Sequence, residues 1–162
     1  MKSKEIYSSE GKLIQGPLIL YPDIFNDERG CFHESWNKST LNNLVGDDIE
    51  FVQDNESTSK IGVLRGLHYQ VNPNSQGKLV RVSSGKIYDV IVDLRVNSQT
   101  FLKWKGLILD DVKKYQFWIP CGFAHGFLTL SKTAVFDYKV TKYWCANSEK
   151  TLSWNDKEIS ID

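Results

Sequence analysis

The sequence is poor in cysteine, with Cys31, Cys121 and Cys145 the only three in 162 residues. An odd number without CxxC spacing argues against a disulfide framework or a structural zinc site, and a reducing cytoplasm is the expected setting. No apolar run approaches the roughly 20 residues needed to span a bilayer. The opening MKSKEIYSSEGK has no apolar stretch to serve as a secretory signal. Net charge is lacking too: 20 basic residues balance 20 acidic ones, so no bulk attraction draws the chain to nucleic acid or an anionic membrane. Neither GxxxxGK nor GxGxxG occurs, which leaves Gly85 and Gly122 without a phosphate-loop context. Repeats, low-complexity tracts and linkers are absent, and one domain over residues 1–162 is expected.

What is present alternates. In Lys86–Leu94, Tyr88, Val90, Val92 and Leu94 share one face, while Ile87, Asp89, Ile91 and Asp93 share the other. A period of two with one dry and one mixed face marks a strand. Further strands are read at Pro17–Tyr21, Gly30–Trp36, Lys78–Val82, Trp104–Leu109, Tyr115–Ile119 and Ala134–Val140. Pro17 is expected as the first residue of its strand, where a missing N–H does no harm. Clusters such as NDERG, VNPNSQG, SSG and ANSEK supply turns. One short helix is predicted around Ser39–Val45, capped by Ser39 or Thr40. Many short strands with one or two short helices imply an all-β fold, a jelly-roll barrel or sandwich.

A barrel with a mixed inner face offers a cup. His68 stands in Leu64–Gln70 beside Gly66, whose presence predicts a bulge or a close backbone approach. A lone strand histidine is by default a hydrogen-bonded structural residue. Arg65 before it and Lys78 after the loop turn the reading toward an anionic ligand. Strand alternation places Tyr138 with Ala134, Phe136 and Val140, opposite Asp137 and Lys139, so it points inward, where a core tyrosine with a satisfied hydroxyl is the default reading of this segment. His125 follows a strand in WIPCGFAHGF. A metal site there would need a His-x-His pair and a carboxylate on the earlier strand, but the sequence reads His68-Tyr69-Gln70, and no metal is expected.

Several long segments resemble the dTDP-4-dehydrorhamnose 3,5-epimerase family, in the family's order. They are FNDERGCFHESW (Phe25–Trp36), FVQDNESTSKIGVLRGLHYQ (Phe51–Gln70) and QGKLVRVSSGKIYDVIVDLR (Gln76–Arg95). SQTFLKWKG (Ser98–Gly106), WIPCGFAHGFLTLS (Trp118–Ser131) and SWND (Ser153–Asp156) continue the series. The resemblance implies a cupin-like jelly-roll barrel, a homodimer, a dTDP-sugar substrate, and catalysis without metal or organic cofactor. His68 resembles the family's general base, Tyr138 its general acid, and Lys78 the lysine near the C4 oxygen. Arg29, Glu34, Gln53, Asn55, Arg65, His125 and Glu149 match positions that bind the nucleotide sugar. Family members continue past the WND segment into a tail that carries an aspartate for the histidine base. The sequence stops at Asp162, before that tail, so the expectation is either a trimmed or partly ordered chain or a His68 that finds another acceptor.

The chemistry of those residue types agrees. A C–H beside a ketone is acidic because its carbanion delocalises onto the carbonyl oxygen. The reaction needs a base, a cation or donor at the developing enolate, and an acid on the opposite face. Histidine, lysine and tyrosine fill those roles, arginines suit a diphosphate, and Tyr143 or Phe25 is a candidate to stack on the base. The rivals are an epimerase of another nucleotide 4-ketosugar, one acting at C3 alone, and a sugar-nucleotide-binding module without turnover.

Overall fold

The computed structural model describes residues 1–162. Its elements are β1 (Lys2–Tyr7), β2 (Leu13–Tyr21), β3 (Ile24–Asp27), β4 (Gly30–His33), α1 (Lys38–Val45), β5 (Gln53–Lys60), β6 (Leu64–Gln70), β7 (Lys78–Ser84), β8 (Lys86–Asp93), β9 (Trp104–Asp110), β10 (Gln116–Ile119), β11 (Phe123–Thr129), β12 (Thr133–Val140) and β13 (Glu149–Thr151). A six-stranded sheet runs β1-β2-β10-β7-β12-β5 and a five-stranded sheet runs β13-β6-β11-β8-β9. Both are antiparallel throughout. The fold is mostly β, as the alternation predicts, with one helix.

Two packed sheets need two apolar inner faces. Val80, Val82, Phe117, Ile119, Ala134 and Phe136 from the larger sheet meet Ile87, Ile91, Leu109, Phe123 and Phe127 from the smaller one. Phe117, at 0% exposure, lies at the middle of this layer. The smaller sheet is also covered outside, where Val90, Val92 and Trp104 pack with Ile159. Outside the larger sheet, α1 lays Leu41 over Leu20, Leu79 and Trp118.

Three local expectations change. Pro17 does not open its strand: β2 starts at Leu13, and the pairing with β1 jumps from Glu5↔Leu18 to Ile6↔Ile14. Pro17 therefore sits in an irregularity where no ladder N–H is needed. The helix is capped by Asn37, whose side chain accepts a hydrogen bond from the Thr40 N–H at 3.0 Å. Ser39 and Thr40 lie inside the first turn, and Gly46 closes the helix in the left-handed region at φ 73°. Gly30–Trp36 forms a strand only as far as His33, paired with β3 in a hairpin that joins neither sheet.

Candidate active site

β6 and β11 run side by side in the smaller sheet, with His68 directly across from His125. Immediately beyond that pair the register shifts between His125 and Phe127. Gly66 and Gly126 face each other there. A Cβ on Gly66, whose φ is 117°, would stand 2.6 Å from the Gly126 Cα and 2.7 Å from the His125 carbonyl oxygen. The bulge and close approach expected at Gly66 are thus both present, and they set His68 beside the inner face. His125 lies within β11, a strand the sequence reading lacked.

The opposite wall comes from the larger sheet. Tyr138 on β12 lies across from Asn55 on β5 and from Val80 on β7, and its ring packs on Phe136 at 5.6 Å. Lys78 opens β7, across from Val140. Between the sheets lies a cavity of about 690 Å³, whose lining includes His68, Lys78, Tyr138, Gln53, Asn55, Arg65, His125 and Glu149. Eight of the ten candidate residues therefore meet in one place. Arg29 and Glu34 do not: Arg29 is bound to Asp27 at the tip of the free hairpin, and Glu34 accepts from Asn37 Nδ2 at 3.1 Å.

The electrostatics suit proton transfer. Burial holds the His68 imidazolium below the ordinary histidine range, Glu149 pulls the other way, and Lys78, His125 and Arg65 reinforce the lowering. His68 is therefore an unprotonated base at neutral pH. Its Nδ1 lies 3.8 Å from Glu149 Oε1, the carboxylate beside it in this chain. Burial lowers Lys78 to about 8, against the opposing pull of Asp89 and Glu149. Burial raises the Tyr138 phenol, Glu149 adds to the rise, and Arg65 works against it, so the phenol keeps its proton. Arg65 is steadied by a hydrogen bond from Nε to Ser59 Oγ at 2.9 Å.

Two residues of this site were missed in the sequence. Trp144, not Tyr143 or Phe25, is the loop aromatic that lines the cavity. Its backbone N–H donates to Gln53 Oε1 at 3.2 Å. The signal was a Tyr-Trp pair in a loop, where no periodicity says which ring turns inward. The second is Asp89, buried beneath His125 and read only as part of a mixed strand face. Gln70 has a structural job: Nε2 donates to the carbonyls of Asn74 at 2.7 Å and Tyr143 at 3.2 Å, and Oε1 accepts from the Cys145 N–H at 2.7 Å. No three His, Cys, Asp or Glu side chains gather as a metal-ligand group.

Comparison with known proteins decides the family. The sequence profile of dTDP-4-dehydrorhamnose 3,5-epimerase matches residues 12–162. The chain belongs to this epimerase family. It is 53% identical over 145 residues to the dTDP-4-dehydrorhamnose 3,5-epimerase of Salmonella typhimurium, covering 90% of this chain and 79% of the relative. A similar solved structure is the 3,5-epimerase of Legionella pneumophila in complex with dTDP-4-keto-L-rhamnose. It has a TM-score of 0.91 and 46% identity, covering 99% of this chain and 83% of that one. A 3'-monoepimerase from Streptomyces bikiniensis in complex with dTDP-quinovose shares the fold at TM-score 0.87. Its identity is 28%, covering 96% of this chain and 77% of that one. The cupin-like architecture of the epimerases is therefore the fold of this chain, and a single eight-residue helix leaves no helical membrane span.

Proposed function

We propose that this chain, acting as one domain, is a dTDP-4-dehydrorhamnose 3,5-epimerase in which His68 is the general base, Tyr138 the general acid and Lys78 the cation at the C4 oxygen. The observation that carries the reading is the meeting of these three side chains in one cavity of the epimerase fold. His68 removes the proton from the carbon beside the ketone, the C–H electron pair becomes the C=C bond of the enolate, and the carbonyl π pair moves onto the oxygen. Lys78 stabilises the resulting enolate. Tyr138 then delivers its phenolic proton to the opposite face of that carbon and the enolate collapses to the ketone. Proton exchange of His68 and Tyr138 with water resets the site for the other carbon. Each group has the protonation state this sequence requires at neutral pH.

Substrate binding is assigned within the same cavity. Arg65 and His125 serve the diphosphate and sugar oxygens, Gln53, Asn55 and Glu149 offer neutral and charged hydrogen-bonding groups, and Trp144 provides an aromatic face for the base. Arg29 and Glu34 complete the site from a second copy of the chain in a homodimer. Supporting this, the β3–β4 hairpin joins neither sheet, and it carries Phe25 and Phe32 at 63% and 69% exposure. An exposed aromatic pair on such a hairpin suits burial against another subunit. The three free cysteines suit a cytoplasmic setting.

The test is solvent-deuterium incorporation into dTDP-4-dehydro-6-deoxy-D-glucose, read separately at C3 and C5. Deuterium at both carbons with formation of the L-rhamno product is expected. Deuterium at C3 alone would replace this reading with a monoepimerase, and none at either carbon would leave a binding module.

A further inference from the structure

Behind the cavity wall, beneath His125, lies an acid that the proposed chemistry does not use. Asp89 on β8 is at 0% exposure, and its hydrogen bonds go to His125, whose Nε2 lies 2.9 Å from Oδ2 and 3.1 Å from Oδ1. Burial pushes the Asp89 carboxyl up, while the His125 hydrogen bonds and the Lys78 charge pull it back down, so an ionised carboxylate here depends on those two partners. A cup that binds a diphosphate and stabilises an enolate gains nothing from a negative charge as such. The reason for Asp89 must lie in its effect on the cations around it. Two respond: His125 through the hydrogen bonds, and Lys78, whose charge Asp89 supports against burial. The other charged or titratable groups lining the cavity with Lys78 are Arg65 and His68 on β6, Tyr138 on β12 and Glu149 on β13. Glu149 also supports the ammonium, but it is 35% exposed and lies beside His68, so Asp89 is the anion fully shielded from solvent.

We propose that Asp89 is a positioning residue for the epimerisation: it holds His125 by the Nε2–H, leaving Nδ1 for the ligand, and its negative charge behind the cavity wall favours the ammonium form of Lys78 over the free amine. The proposal rests on the assignment of Lys78 to the carbonyl oxygen. Both Asp89 oxygens converge on one ring nitrogen, so the proton between the residues belongs on Nε2 and fixes the tautomer. The same carboxylate favours a charged Lys78 in a dry wall, where the ammonium would otherwise give up its proton. Asp89 thus acts through two neighbours without touching substrate.

The test uses Asp89→Asn, which keeps the shape and an acceptor oxygen but removes the charge. In the pH profile of kcat/KM for deuterium exchange, the alkaline limb reports loss of the Lys78 proton. It should move toward neutral by about one pH unit, and the variant should lose about tenfold above pH 8. The acid limb, set by His68, should stay within a few tenths of a unit. An unmoved alkaline limb with a uniform rate loss would reduce Asp89 to a structural role, and an unchanged profile would remove it from the mechanism. If the variant does not fold, nitrogen-15 NMR of the His125 ring in the wild-type protein decides. Protonation at Nε2 supports the proposal, and a ring carrying its only proton on Nδ1 overturns it. Absence of exchange by the wild-type protein would instead refute the epimerase reading, which the NMR result does not depend on.

Discussion

Gly66→Ala adds one methyl group where β6 meets β11, two residues before the proposed base. The new Cβ would lie 2.6 Å from the Gly126 Cα and 2.7 Å from the His125 carbonyl oxygen, both backbone atoms that no side-chain rotation can move aside. Ordinary carbon contacts lie near ~3.5–4.0 Å, so the strands must part by about 1 Å. Overpacking of this kind costs about 1–3 kcal/mol, and a non-glycine residue at a φ of 117° adds about 1–3 kcal/mol. A total near 3 kcal/mol is a large share of the roughly 5–15 kcal/mol that holds a domain together. It should lower Tm by about 6–12 °C in a chain of this size. Gly62→Ala is the control: Gly62 also has a positive φ, 78°, but a Cβ there meets nothing within 4 Å. Only the backbone term applies, about 1 kcal/mol. Urea denaturation of both variants separates the terms. Parting the strands also shifts His68 against His125, so Gly66→Ala should lose at least about tenfold in kcat while Gly62→Ala stays near wild type. Equal destabilisation by the two variants would refute the close-approach argument.

Other outcomes follow from the same site. The pH profile of kcat/KM should be a bell. Its acid limb falls below the ordinary histidine value, because His68 must be unprotonated and burial lowers it, and its alkaline limb lies near 8, where Lys78 loses its charge. An alkaline limb near 10 would remove Lys78 from the step. Tyr138→Phe should retain deuterium exchange with unchanged configuration while net epimerisation falls about 10²-fold or more, measured by NMR of the sugar. Undiminished inversion would assign the proton to another donor. Trp144→Ala should weaken dTDP binding by calorimetry about tenfold, given ~1–3 kcal/mol for a base stacked on an aromatic ring, with less effect on kcat. Unchanged affinity would place the base elsewhere.

The parts of this molecule legible in its sequence are those where the two strand faces differ. β12 shows it best: Ala134, Phe136 and Val140 are buried, while Asp137 and Lys139 face Arg81 and Asp54 on the other side. Strands without that contrast were not read. β5, with the sequence QDNESTSK, turns one polar set into a polar cavity and the other toward solvent, so it has no apolar face at all. β11 has the opposite problem: it lies inside its sheet and is buried on both faces, so its apolar residues run together. The site followed the same rule. Gly66 beside His68 signalled a backbone approach because glycine there has few other uses. Asp89 gave no signal, since an acid alternating with isoleucines reads as the wet side of a strand until His125 is found against it. Arg29 and Glu34 could be named only by resemblance, because the fold of one chain leaves Arg29 at the tip of a free hairpin and Glu34 just after it, both outside the cavity lining.

The central claim is that one histidine starts both inversions, and the most direct measurement of it is deuterium exchange by His68→Asn in the presence of dTDP-4-dehydro-6-deoxy-D-glucose. With circular dichroism and dTDP affinity close to wild type, the variant should incorporate no measurable deuterium at C3 or at C5. Exchange at either carbon near the wild-type rate in the folded variant would contradict the account.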